Sequence, residues 1–380
     1  MNKHHPLNTV TPDVSTANGL PNAHYTDPAT FDAEKHRVLF NNWAGVGFAH
    51  DVPEPGDAKP VTFLGVPLLI LRDHDGQIGV FQNTCRHRGM ILVEKPGKIR
   101  GAIRCPYHSW CYDLKGALKS TPHVGGPGHN RHDAIDREEL GLVPIRHAVW
   151  QGVIFANIDG AADPFDVVHA DLMQRWREFD QPLHYGGGFT LDVATNWKLA
   201  VENYCESYHL PWVHPDLNSY SRLEDHYNIT LPNHYSGQGS HLYRQVKGED
   251  GTVFPDFAGL SPKWDQAAEY IAVYPNVLLG VQRDHSFAII LTPQSCEHTI
   301  EEAALFYAVC TESVQDLHAL RTRNLALWKQ VFEEDIFVVE GMQKGRHGPH
   351  FDGGRFSPVM DGPTHNFHHW VAGQMTTARE

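Results

Sequence analysis

Two cysteines and two histidines in a fixed order constrain this chain of 380 residues more than any other feature: Cys85-x-His87 and, seventeen residues on, Cys105-x-x-His108. Two thiolates and two imidazoles in that pattern suit a [2Fe–2S] cluster with one iron on cysteines and the other on histidines. Exchanging two thiolates for neutral imidazoles makes the cluster less negative, so it accepts an electron more readily than an all-cysteine cluster. A chain that builds such a site handles single electrons.

The surrounding sequence agrees. Ile78-Gly79-Val80-Phe81 reads as a strand leading into Cys85, and Gly89 permits a tight return after His87. Gly101-Ala102-Ile103 reads as a strand leading into Cys105. Pro106 fixes the backbone between the ligands, and Asp113-Leu114-Lys115-Gly116 reads as a hairpin turn. Two hairpin tips gripping one cluster is the predicted assembly. A structural zinc site takes the same donors, but zinc modules usually draw both thiolates of a pair from one turn. Here each loop supplies one cysteine and one histidine. Iron and labile-sulfide content separates the two readings.

A second string runs from Asn196 to His214. Residues up to Leu210 read as a helix that Pro211 ends. On it Glu202, Glu206 and His209, spaced i, i+4 and i+7, share one face. His214 then arrives from the following turn, so two imidazoles can converge. Two histidines need a carboxylate to complete the 2-His-1-carboxylate face that holds non-haem Fe(II) and leaves positions open for dioxygen. With 27 histidines in the chain, a His-x4-His pair alone is weak. It gains weight from Glu206 three residues before His209, from Asn196-Trp197-Lys198, and from the cysteine–histidine loops upstream. The third ligand is sought in a second helical segment, about Ser313 to Lys344, where Asp335 is the first choice and its neighbour Glu334 the alternative.

The two loops resemble the Rieske domain of the Rieske non-haem iron oxygenases, the alpha subunits of ring-hydroxylating dioxygenases and related monooxygenases and demethylases. Respiratory Rieske proteins carry an extra cysteine in each loop, joined as a disulfide. The matching positions here are Met90 and Tyr107, which favours the oxygenase type. The resemblance implies an α+β chain: an all-β Rieske [2Fe–2S] domain and a helix-grip (START-like) catalytic domain, with a curved antiparallel sheet over a long C-terminal helix. It implies Cys85, His87, Cys105 and His108 on the cluster, and His209, His214 and Asp335 on mononuclear Fe(II). It also implies that Glu206, where many members have Asp, bridges His108 of one subunit to His209 of the next. Tyr204 gains a claim as a pocket residue. The family is usually a homotrimer or hexamer. With no Gly-x-Gly-x-x-Gly beside a strand, electrons are expected from NAD(P)H through a separate flavin/iron–sulfur reductase, and in some systems a ferredoxin.

Composition sets the outer bounds. Hydrophobic residues make up 41% and charged residues 20%, as in a globular enzyme. A net charge of −14 argues against a nucleic-acid surface. No apolar run is long enough for a membrane span, and Met1–Leu7 lacks the apolar core of a signal peptide, so the cytoplasm is expected. Cys111, Cys205, Cys296 and Cys310 form no disulfide-like pattern. The expected organisation is an arm and helix over 1–39, with residues 1–24 loose, the Rieske domain over 40–157 and the iron domain over 158–380. Short strands are expected from Val61 to Asn157, then a helical stretch at 163–180, a strand over 185–197 and strand-like runs between 270 and 311. Residues 218–258 show no periodicity.

The resemblance implies a small organic substrate taken together with O2. Tyr204, Trp212, Tyr220, Tyr270, Tyr274 and Phe287 could wall a cavity, although for most of them core packing is the ordinary role. Such walls suit a flat aromatic or a quaternary ammonium. The string from Glu202 to His209 and the tail Gly353–Pro358 resemble the choline, glycine-betaine and carnitine oxygenases more than the naphthalene type. The competing reading is a Rieske-type electron carrier without a second iron, which would hold about two irons per chain against about three.

Overall fold

The computed structural model describes residues 6–310 and 315–377. Two compact units emerge: Gly45–Ala161, and Met1–Ala44 together with Ala162–Glu380.

The first unit is built from short strands, most of them bounded by glycine or Asx turns: β1 (Ala44–Phe48), β2 (Asp57–Phe63), β3 (Val66–Arg72), β4 (Ile78–Gln82), β5 (Gly97–Lys98), β6 (Ile103–Arg104), β7 (Cys111–Tyr112), β8 (Leu118–Ser120), β9 (Arg146–Trp150) and β10 (Val153–Asn157). They form three sheets, ordered β1-β10-β9, β4-β3-β2-β5 and β6-β7-β8. Asp113 makes the expected hairpin turn, accepting from the backbone N–H groups of Lys115 and Ala117. One core cluster contains Leu69, Leu71, Phe81, Trp110 and Tyr112 together with Cys85 and Cys105. The thiols are therefore fixed by packing as well as by their loops.

The second unit carries a seven-stranded antiparallel sheet: β11 (His184–Val193), β12 (His226–Leu231), β13 (Tyr235–Ser240), β14 (Ala268–Val273), β15 (Val277–Val281), β16 (His285–Ser295) and β17 (His298–Tyr307). Its order is β11-β17-β16-β15-β14-β13-β12. All five residues of β15 are buried, as a central strand covered on both faces requires. β11 is irregular where its register against β17 shifts between Tyr185 and Gly187. A Cβ on Gly186 would lie 2.2 Å from the Tyr307 ring and one on Gly188 2.3 Å from the Ala303 carbonyl, so that edge closes only with glycine.

Three helices pack on this sheet and on one another: Trp197–Cys205, the long Gln315–Gly345, and Gly362–Thr376, which sequence reading left unassigned. The expected start of the long helix at Ser313 lies outside the described residues.

Three expectations need correction. Residues from Leu7 to Tyr25 are not a loose arm: Val10 and Leu20 are fully buried, and Leu20 donates its backbone N–H to His368 Nδ1 at 3.0 Å. Their few apolar side chains are enough to seat them against the C-terminal segment, where Asn18 bridges to Arg355. Second, the helix from Trp197 stops at Cys205 rather than at Leu210, and Glu206 is extended (φ −125°, ψ 161°). Glu206 then caps the next turn, its Oε2 accepting from the backbone N–H groups of Tyr208 and His209. Glu202, Glu206 and His209 thus do not share a helical face, and Pro211 opens the short helix Leu210–Val213 instead of ending one. Third, 226–240 is a hairpin rather than irregular loop.

Candidate functional site

The two cysteine–histidine loops are built alike. In each, the cysteine N–H donates to the carbonyl five residues on: Cys85 to Met90 and Cys105 to Trp110, both at 2.8 Å. The N–H four residues on returns to the cysteine carbonyl, from Gly89 at 2.9 Å and from Ser109 at 3.0 Å. That fourth position is left-handed in both loops, with φ of +72° at Gly89 and +57° at Ser109. Such a turn brings the cysteine and the histidine of a loop to one side of its tip. The His87 and His108 ring centroids are 4.6 Å apart, and His87 stacks on Trp110 at 4.8 Å.

The donors suit an iron–sulfur cluster. Burial first, then the neighbouring Cys105 thiol, push the Cys85 pKa up against the opposing Tyr112 hydroxyl, so a bare thiolate there calls for positive charge. The Tyr112 hydroxyl lies 3.3 Å from Cys85 Sγ and accepts the Arg86 N–H at 3.0 Å. Burial, then His108 and Arg88, lower the His87 pKa, favouring the neutral imidazole that a metal needs. His108 Nδ1 is buried with no hydrogen-bond partner among the described residues.

In the second unit His209, His214 and Asp335 come together. One ligand atom from each lies within 4.8 Å of the others, the kind of donor grouping a single metal ion needs. His209 Nδ1 meets Glu206 Oε1 at 2.7 Å and His214 Nδ1 meets Glu334 Oε2 at 2.8 Å. A carboxylate on each Nδ1 places the proton there and turns both Nε2 lone pairs inward. Asp335 Oδ1 lies 3.0 Å from His214 Nε2 and 3.7 Å from His209 Nε2. The adjacent acids therefore separate: Asp335 faces the cluster of Nε2 atoms and Glu334 stands behind His214. Burial alone would lower the His214 pKa, but Asp335 and Glu334 together raise it.

The trio lines a single cavity. Tyr204, Tyr270, Phe287, Trp328 and Phe332 form its aromatic wall, while His226 and Gln238 are polar wall residues that the sequence reading did not single out. Gln238 accepts from His226 Nδ1 through its Oε1 at 2.7 Å and donates from its Nε2 to the Glu206 carbonyl at 3.1 Å, tying β13 to the ligand segment. The Pro232-Asn233 pair between two β-prone runs was the available signal for that hairpin. Of the other aromatics, Tyr220 lines a neighbouring cavity, Trp212 is 71% exposed, and Tyr274 is core, packed on Phe367 and Trp370. Cys205 is fully buried with its thiol 3.2 Å from Ser236 Oγ, a packing residue as expected.

A family model for the ring hydroxylating alpha subunit (catalytic domain) matches residues 179–377, and one for the Rieske [2Fe-2S] domain matches residues 42–131. This chain belongs to the ring-hydroxylating alpha-subunit family. Such an alpha subunit is an oxidoreductase with a Rieske [2Fe–2S] cluster and a mononuclear iron, and the two constellations above have the donor chemistry for both. The fold class expected from the resemblance holds for this alpha subunit: a Rieske domain, and a catalytic domain of antiparallel sheet and helices.

Among curated relatives, the chloroplastic choline monooxygenase of Arabidopsis thaliana is 28% identical over 375 residues, covering 93% of this alpha subunit and 82% of that protein. The carnitine monooxygenase oxygenase subunit of Acinetobacter pittii is 25% identical, covering 88% and 86%. Among solved structures, the quaternary ammonium Rieske monooxygenase CntA with L-carnitine matches with a TM-score of 0.79 at 23% identity, covering 98% of this alpha subunit and 99% of that chain. Naphthalene 1,2-dioxygenase from Rhodococcus sp. matches with a TM-score of 0.73 at 19% identity, covering 97% and 96%. At those identities the two structures establish the fold. No helix among the described residues is long and apolar enough to cross a membrane.

Proposed function

We propose that this alpha subunit is the oxygenase component of a cytoplasmic Rieske system that oxidises a small quaternary ammonium compound. In this reading O2 is the oxidant, and electrons come from NAD(P)H through a separate flavin/iron–sulfur reductase, with or without a ferredoxin. The observation that carries the reading is one cavity lined both by His209, His214 and Asp335 and by five aromatic rings. Aromatic faces attract a desolvated quaternary ammonium by about 2 kcal/mol. The curated choline and carnitine monooxygenases favour this ligand class over a flat aromatic hydrocarbon.

Cys85, His87, Cys105 and His108 hold the cluster, and His209, His214 and Asp335 hold the ferrous ion. When bound, the cluster supplies single electrons and the iron supplies a site for dioxygen. The chain's own groups orient and insulate. Glu206 and Glu334 hold Nδ1 protons, which keeps both Nε2 atoms aimed inward. Tyr204 donates its hydroxyl to the Leu279 carbonyl at 2.9 Å and so presents its ring, not its oxygen, to the cavity. The apolar wall excludes water from bound substrate. Glu206, already bonded to His209, would also meet His108 of a neighbouring copy, which makes a homotrimer or hexamer the expected working form.

The test is NADH-dependent oxygen uptake with a surrogate reductase over methylated amines and aromatic acids. Uptake matched by an oxidised amine product is expected. Uptake only with aromatic acids would overturn the substrate reading.

A further inference from the structure

A second cavity adjoins the first. The two share Leu217, Ser221, Tyr270, Trp328 and Val331 as wall residues. Their remaining walls differ in charge. The first carries aromatic rings and no lysine or arginine, while the second carries Arg244. Arg244 lies over the Tyr220 ring, 5.6 Å from its centroid, and makes no ion pair among the described residues. Other arginines of this unit are already taken: Arg175 by Glu269 at 2.7 Å and Arg283 by Asp256. Of the acids on this side, Asp284 is turned to Tyr243 and His285, at 2.8 Å and 2.9 Å, and Asp216, near Tyr220, is exposed; neither is a wall residue of either cavity. A guanidinium braced on an aromatic ring, with its donors uncommitted, is a receptor for a carboxylate.

We propose that the substrate is a zwitterion, with its quaternary ammonium among the rings of the first cavity and a carboxylate at its other end on Arg244. This rests on the quaternary-ammonium reading above and narrows it. A planar fork binds a carboxylate through two parallel hydrogen bonds, while a cation with a neutral far end meets Arg244 as a like charge. Tyr220 sets the height of the guanidinium, and the shared wall residues set the spacing between the two ends of the ligand.

The experiment compares γ-butyrobetaine with choline, using the iron-loaded enzyme with reductase and, in parallel, calorimetric binding. Wild type is expected to favour γ-butyrobetaine. In R244Q the γ-butyrobetaine to choline ratio of kcat/KM should fall about tenfold or more, as loss of a charge-assisted pair implies. The change should lie in KM rather than kcat, with R244K recovering part of it. If R244Q leaves the ratio unchanged, or wild type prefers choline, the carboxylate site is wrong while the quaternary-ammonium reading stands. If neither compound binds or is turned over, both fall together.

Discussion

Asp335 and Glu334 are chemically equivalent neighbours on one helix, and only their direction separates them. Asp335 points at both Nε2 atoms, whereas Glu334 reaches His214 from its Nδ1 side. Asp335→Asn should therefore remove the mononuclear iron, lowering metal content from about three to about two irons per chain, with the cluster's visible spectrum intact. Glu334→Gln should keep the iron but weaken it about 10–100-fold, the usual cost of losing a partner behind a ligating histidine. Chelator titration followed by iron analysis distinguishes them; equal loss in both variants would contradict the assignment. Spacing could name the pair but could not choose within it, because one residue along a helix rotates a side chain by about 100°. Ser109 makes a related point. Its φ of +57° matches that of Gly89 in the companion loop, and a left-handed residue other than glycine costs roughly 1–2 kcal/mol. Ser109→Gly should raise stability by about 1 kcal/mol, read as a higher denaturant midpoint at an unchanged slope.

Elements were legible where polarity alternated or ran apolar. β3, β4 and β14 to β16 follow from their Val, Leu and Ile content, and Asn196 caps the ligand helix by accepting from the Lys198 N–H at 3.0 Å. β13 was hidden for a physical reason. Its residues are Tyr-Ser-Gly-Gln-Gly-Ser, yet all six are buried, because Ser236, Gln238 and Ser240 hydrogen-bond to other segments rather than to water. The early end of the ligand helix was equally invisible, since Glu206 favours helix until its carboxylate turns back to cap two N–H groups. β17 also carries a feature that no pattern announces. Glu301 is buried beside Asp335, and burial first, then the charge of Asp335, raise its pKa to about 8. The folded value lies above the ordinary 4.5, so the folded state holds the proton more tightly. That contribution is fully present at low pH and is lost as pH rises through about 8. With the mononuclear iron stripped, wild type should lose on the order of 4 kcal/mol between pH 5 and pH 8 from this group. Glu301→Gln should flatten that slope in denaturant titrations at fixed pH, and parallel curves for the two proteins would refute the shift.

On the scale of the whole molecule, the cluster loops and the iron ligands fall in separate compact units, Gly45–Ala161 and the remainder. What the sequence hid at this scale was long-range. Leu7, Val10 and Leu20 are too sparse to signal a core, and their partners lie some 340 residues away, as in Leu20 to His368. Electron delivery is a question at the same scale, because the two halves of the proposed bridge lie in different units: His108 on a cluster loop, and Glu206 already on His209. If the link forms between copies, an alpha subunit without its cluster and one without its iron can complement each other. Cys85→Ser with Cys105→Ser supplies the first and Asp335→Asn the second. Each alone should be inactive. Co-expressed and randomly assembled in a head-to-tail ring, about a quarter of the interfaces would pair an intact cluster with an intact iron, so roughly a quarter of wild-type turnover should return. Electron transfer confined to one chain would return none. The readout is substrate-dependent oxygen uptake by the co-purified hybrid, with each parent protein as its own control.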